Sequence, residues 1–160
     1  MLPGPPRELR PMVLDEVLPR LAKRFPGQED FVCRTLKTTG LGESYMEERL
    51  DGPLKDLVEG GMDLGFCARV GEVDVRFVAR GPEAARVVAE AERRTRATVG
   101  EYIFGSDDES LEQVLVREFT ARGLKLALAE SCTGGHIANR VTNVPGASSV
   151  LLAGYVTYAN

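Results

Sequence analysis

The most constraining feature of the chain is the run Leu124-Lys125-Leu126-Ala127-Leu128-Ala129, which passes directly into Glu130-Ser131-Cys132-Thr133-Gly134-Gly135. Six nearly all-apolar residues are too few for a buried helix and suit a strand covered on both faces. The two glycines then let the backbone turn sharply before a helix, expected from about Gly135 to Thr142. Val144-Pro145-Gly146 forms the next turn, and Tyr155-Val156-Thr157-Tyr158 reads as the next strand. This is the opening of an α/β sheet. One helix and two strands cannot cover both faces of a parallel sheet, so with the chain ending at Asn160 an exposed apolar surface is expected. An unfinished sheet also favours self-association, and a homo-oligomer is expected.

Upstream, Phe31 to Lys37 partly alternates and is expected to be a strand. Glu43 to Glu59 is expected to form a helix through Met46, Leu50, Leu54 and Leu57, interrupted near Asp51-Gly52-Pro53 and stopped by Gly60-Gly61. Leu64 to Ala68 and Val73 to Val78 form two strands joined as a hairpin at Arg69-Val70-Gly71-Glu72. Pro82 starts a helix with Ala84, Val87, Val88, Ala91 and Thr95 on one side, and Arg93, Arg94 and Arg96 belong to a solvated face. The order β-α-β-β-α predicts an α+β domain over residues 26–104, with helices on one face of a small sheet.

Two further segments flank that domain. Residues 1–25 carry Leu9, Met12, Val13, Val17, Leu21 and Phe25 near helical spacing, with Pro11 and Pro19 expected to shorten or kink the helix. Residues 105–160 hold the truncated α/β part. There Ser106-Asp107-Asp108-Glu109 matches a capping box for a helix that buries Leu111, Val114, Leu115 and Phe119. Pro26-Gly27 closes the first segment, and Arg122-Gly123 ends the last of these helices.

Composition narrows the function classes. Twenty Lys and Arg against 24 Asp and Glu leave a net charge of −4 across 160 residues, which argues against a general phosphate-backbone binder. No apolar run approaches the ~20 residues of a membrane span, and the first residues show no secretory signal. Cys33, Cys67 and Cys132 have no CxxC spacing and are odd in number, the pattern of free thiols in a reduced, cytoplasmic protein. Neither a nucleic-acid nor a membrane partner is expected.

The chemistry-bearing candidate is the turn itself. Ser131 stands where a strand bends into a helix, a place that can hold a hydroxyl clear of the sheet. The amides that follow belong to a helix start and can receive an oxyanion or a phosphate, while Gly134 and Gly135 permit close backbone approach. The same residues suit a capped helix with no further role equally well. Cys132 and His136 stand at i, i+4 spacing, which raises a thiolate nucleophile as an alternative.

Three ordered stretches carry a resemblance: Leu124 to Gly135, Asn143-Val144-Pro145-Gly146-Ala147-Ser148-Ser149, and Gly154-Tyr155-Val156-Thr157-Tyr158-Ala159-Asn160. Together they resemble the opening of the CinA C-terminal domain, the nicotinamide-nucleotide amidase family. Arg34-Thr35-Leu36, Gly40-Leu41-Gly42-Glu43-Ser44 and Glu48-Arg49-Leu50 resemble that family's KH-like middle domain. Leu2 to Leu9 with Pro11-Met12 resembles the last loop of its molybdopterin-binding-like N-terminal domain. Gly40-Leu41-Gly42 lacks the G-x-x-G spacing of a nucleic-acid-binding KH loop, and the region is not basic, so this unit is expected to serve structure or domain contact.

The resemblance implies hydrolysis of nicotinamide mononucleotide to nicotinic acid mononucleotide and ammonia, without metal or other cofactor. It implies Ser131 as nucleophile and Tyr158 as a second catalytic residue, with Glu130, Thr133, Gly134 and Gly135 at the substrate. It also implies a lysine base in an Asn-Glu-Ala-Lys segment of which Asn160 is the first residue. With that lysine absent from the 160 residues, the chain is expected to be inactive or nearly so. The alternative expectation is a non-catalytic interaction or dimerisation module.

Overall fold

Alternation of small polar and apolar residues draws four strands into one antiparallel sheet. In a computed structural model, residues 4–26 and 31–158 are described; the expectations placed on Leu2, Pro3, Gly27, Ala159 and Asn160 lie outside them. β1 (Phe31–Thr39) pairs with β3 (Glu72–Arg80), and β2 (Asp63–Arg69) joins β3 in the expected hairpin. Gly71 takes φ +78 in the hairpin turn, a conformation that costs glycine nothing. A strand the periodicity does not announce, β4 (Ile103–Ser106), adds to the free side of β1 and gives the order β2-β3-β1-β4.

Two helices cover one face of this sheet. α3 (Glu43–Glu59) buries Met46, Leu50 and Leu54, and α4 (Ala84–Val99) buries Ala84, Val88, Ala91, Thr95 and Val99. These meet Leu36, Val75 and Phe77 from the strands in a core whose central side chains are fully shielded from solvent. The expected break at Asp51-Gly52-Pro53 is absent: α3 runs straight through Pro53. Leu50 and Leu54 flank the proline at full burial, and Arg94 donates a 3.0 Å hydrogen bond to the Pro53 carbonyl. Tertiary packing outweighs the local cost of the missing amide. Arg94 also pairs with Asp56 at 2.6 Å, so it clamps α4 to α3, and Thr95 is wholly buried. The Arg93–Arg96 stretch is therefore not a purely solvated face.

The N-terminal segment is helical from Pro6 to Arg24, as α1 (Pro6–Met12) and α2 (Leu18–Arg24) joined by one wide π turn over Val13–Val17. The shortening or kink expected at Pro11 and Pro19 takes the form of this π turn, which interrupts the α-helix between them. Pro19 has no amide to donate, and the widened turn lets the Leu18 amide reach back to Val13.

The last unit begins one turn later than the capping pattern suggests. α5 (Leu111–Ala121) is capped by Ser110 and Gln113, which satisfy each other's backbone amides reciprocally. Ser106 and Glu109 do bond, with Glu109 accepting from the Ser106 amide at 2.9 Å, but they close the preceding turn. Asp107, held at φ +52 and paired with Arg34 and the Thr35 amide, prevents a helix from starting there. On α5 the buried residue is Val116, while Leu111 is exposed and Val114, Leu115 and Phe119 are half-buried.

β5 (Leu126–Glu130), α6 (His136–Thr142) and β6 (Leu151–Val156) then form a βαβ unit with the two strands parallel. β6 starts four residues before the expected Tyr155. Its core is small: Val116, Val141, Ala147 and Val150, with Leu126 and Leu151 beside them. α6 lies on one face, where Gly154 and Ala138 approach so closely that a Cβ on Gly154 would stand 3.2 Å from the Ala138 Cβ. Ala127, Ala129 and Tyr155 are exposed, as are Leu152 and Val156. The apolar surface expected from the sequence is present.

Candidate functional site

β5 delivers Glu130 to the end of the two-stranded sheet, and the turn behind it is built around that side chain. Gly134 at φ +59 and Gly135 at φ +90 take the left-handed conformations that bend the chain into α6. Glu130 is 3% exposed. Its carboxylate accepts from the Ile137 amide at 3.0 Å and from the Ala138 amide at 2.9 Å. Burial pushes the Glu130 carboxyl upward, but the Ala138 and Ile137 amides, the Thr133 hydroxyl and the Gly135 amide outweigh it and hold the group below its usual range.

This arrangement corrects one expectation about the helix start. The amides of Ile137 and Ala138 are already satisfied by a carboxylate of the chain itself, and the His136 amide is spent on the Thr133 carbonyl at 3.0 Å. The Gly134 amide bonds the Ser131 carbonyl at 3.0 Å. The start of α6 is thus an internally neutralised cap, and among the described residues of the turn the amides of Ser131, Cys132 and Thr133 carry no hydrogen bond.

Ser131, Cys132 and Thr133 are exposed on the outside of the turn, and so is His136. Ser131 is therefore open to solvent just beyond the end of β5. Tyr158 reaches the same end of the unit by a connection the sequence does not announce: the Thr157 amide donates to the Glu130 carbonyl at 2.7 Å, and the Thr157 hydroxyl points at that oxygen from 3.4 Å. Ser131 and Tyr158 are the residues that follow this bonded pair, just beyond the ends of the two parallel strands. Tyr158 itself is 77% exposed. The structure therefore brings Glu130, Ser131, Thr133, Gly134, Gly135 and Tyr158 to one place, at the C-terminal ends of parallel strands, where open α/β sheets hold their ligands.

Ser131, Cys132, Thr133, His136 and Tyr158 are all exposed there. A cavity of about 490 Å³ in this unit, lined by Val144, Pro145, Gly146 and Leu151 among others, lies at the opposite end of β6. Its residues include no nucleophile paired with a base, and it has no part in the site. Among the described residues no group of three or more His, Cys, Asp or Glu side chains is placed to hold a metal ion. No helix among them is long and apolar enough to cross a membrane.

Comparison with known proteins finds two family matches along the chain. Residues 33–105 match the damage-inducible protein CinA KH domain, and residues 108–160 match the CinA C-terminal domain. A competence-damage inducible protein of Moorella thermoacetica is 47% identical over the whole chain, which covers 39% of that relative. A CinA-like protein of Akkermansia muciniphila is 45% identical, again over the whole chain and 37% of the relative. A crystal structure of the competence/damage inducible protein CihA from Agrobacterium tumefaciens aligns at 45% identity and TM-score 0.30 over 31% of this chain and 30% of that one. The chain spans about two fifths of the length of the curated relatives it matches. It belongs to the CinA family, with a CinA KH domain followed by part of a CinA C-terminal domain.

Proposed function

We propose that this chain contributes the nucleophile-bearing half of a nicotinamide-nucleotide amidase site, which converts nicotinamide mononucleotide to nicotinic acid mononucleotide and ammonia. The observation that carries the reading is the exposed Ser131 hydroxyl on the βα turn, with Tyr158 held at the same sheet end by the Thr157–Glu130 hydrogen bond. In this reading Ser131 Oγ attacks the carboxamide carbon, and the Cys132 and Thr133 amides receive the oxygen that becomes negative. The C–N bond breaks, ammonia leaves with the proton taken from Ser131, and water hydrolyses the resulting ester. Glu130 serves by fixing the turn, because its carboxylate is committed to α6. Gly134 and Gly135 serve by their left-handed backbone.

The base that takes the Ser131 proton is the missing element. Among the described residues Glu130 is engaged, and no lysine or histidine is hydrogen-bonded to Ser131. The reading therefore requires a base outside them, and general-base assistance is worth roughly 10²–10⁴-fold. The 160-residue chain alone is expected to release little or no ammonia from nicotinamide mononucleotide. The same chain continued with the remainder of a CinA C-terminal domain is expected to turn over. Activity of the short chain equal to that of the long one would contradict the reading.

A further inference from the structure

The sheet of the KH domain has two edges, and the fold treats them differently. β4, at one edge, is short, shifts register against β1, and is backed by α5. β2, at the other, pairs with β3 in unbroken register over Asp63–Arg69 and has no strand on its outer side among the described residues. Natural edges are blunted by lysine, proline, a bulge or a cover. β2 has neither lysine nor proline, and its charges, Asp63 and Arg69, stand at its two ends. Between them Leu64-Gly65-Phe66-Cys67-Ala68 is neutral, and Gly65 leaves open space where a side chain would stand.

Beside this bare edge, α3 and β2 enclose a groove of about 390 Å³. Val58, Leu64 and Phe66 give it an apolar floor, with Val58 41% exposed. Glu47, Asp51 and Glu59 line its rim. Lys55 is the rim's cation and lies 3.9 Å from Glu59, which leaves the carboxylates of Glu47 and Asp51 in excess.

We infer that β2 and this groove form a docking site for an extended segment of a partner protein in which every second residue, on the side facing α3, is apolar or is lysine or arginine. The segment adds to the sheet beyond β2, and the unpaired backbone groups of the edge supply affinity. Strand side chains alternate between faces, so the one set directed to the α3 side meets the whole groove: its apolar members fall on Val58, Leu64 and Phe66, and its cations meet Glu47 and Asp51. A nucleic-acid strand suits the groove poorly, since the rim repels phosphate.

The test uses the full chain and a labelled, end-capped peptide of about seven residues, long enough to match β2, in which serines separate two valines and two lysines so that the valines and lysines share one face. Fluorescence anisotropy is expected to show saturable binding. Glu47→Lys with Asp51→Lys is expected to weaken it roughly tenfold or more; both positions are exposed, so circular dichroism should be unchanged. The same peptide with glutamate in place of lysine is expected to bind as poorly. N-methylation of alternate peptide amides, in the two possible phases, separates backbone pairing from charge: one phase should abolish binding and the other should not. The proposal is overturned if the double variant binds as tightly as the parent, if both methylated peptides bind alike, or if a single-stranded oligonucleotide binds and the peptide does not. It is also overturned if light scattering shows the chain dimerising through β2, since a second copy would then be the occupant.

Discussion

The Glu130 carboxylate, at the end of β5, lies 2.9 Å from the amide nitrogen of Ala138, in the first turn of α6. That bond and its neighbour to Ile137 decide where the βα turn can present a hydroxyl. Remove the carboxylate and the first turn of α6 loses its internal anion, together with the tie between β5, the turn and the helix.

Glu130→Gln is expected to lower the melting temperature and to flatten its dependence on acid. The sign follows from a folded-state pKa held below the unfolded value near 4.5. The stabilisation is complete above the unfolded value and is lost as pH falls through the folded one. Thermal melts of both proteins across the acid range should converge at the lowest pH. Parallel curves at all pH values would show that the charge does not cap the helix.

The two units have cores of very different depth. Leu50 is fully buried among the α3, α4 and sheet residues of the KH domain, and Leu50→Ala should cost about 2–5 kcal/mol. The βαβ unit rests on Val116, Val141, Ala147 and Val150. Amides of β5 and β6 are therefore expected to exchange with solvent well before those of β1 and β3. Equal protection in the two sheets would contradict this ranking.

Contact between β6 and α6 depends on the absence of a side chain at Gly154. A Cβ there would press on the Ala138 Cβ at 3.2 Å. Gly154→Val is expected to cost about 1–3 kcal/mol by overpacking, measured by denaturant unfolding. Because the displaced helix begins at the Glu130 cap, the same variant should also impair amidase turnover in the intact protein.

Sequence periodicity reveals those parts of the fold where pattern and packing agree. The β1, β2 and β3 strands alternate, α4 has a clean apolar stripe, and the β5 turn is marked by glycines. Pattern misleads where a distant contact decides. Pro53 looks like a break until Arg94 and the burial of Leu50 and Leu54 hold α3 together across it. Ser106 and Glu109 look like a helix cap until Arg34, seventy-three residues from Asp107, pins that residue outside the helix. β4 is too short to announce itself and exists because β1 has a free edge. At the candidate site the turn is legible, but the engagement of Glu130 with the amides of α6 seven and eight residues on, and the bond from Thr157 twenty-seven residues on, arise only once the turn has folded. No local spacing encodes them.

The central claim is that Ser131 carries the acyl group. Its most direct test is the intact mass of the protein quenched during turnover of nicotinamide mononucleotide, with the chain continued through a complete C-terminal domain. The account predicts an added nicotinic acid mononucleotide ester that maps to Ser131, and its loss in Ser131→Ala together with a fall in turnover of roughly 10³-fold or more. An adduct on Cys132, or turnover undiminished in Ser131→Ala, would contradict it.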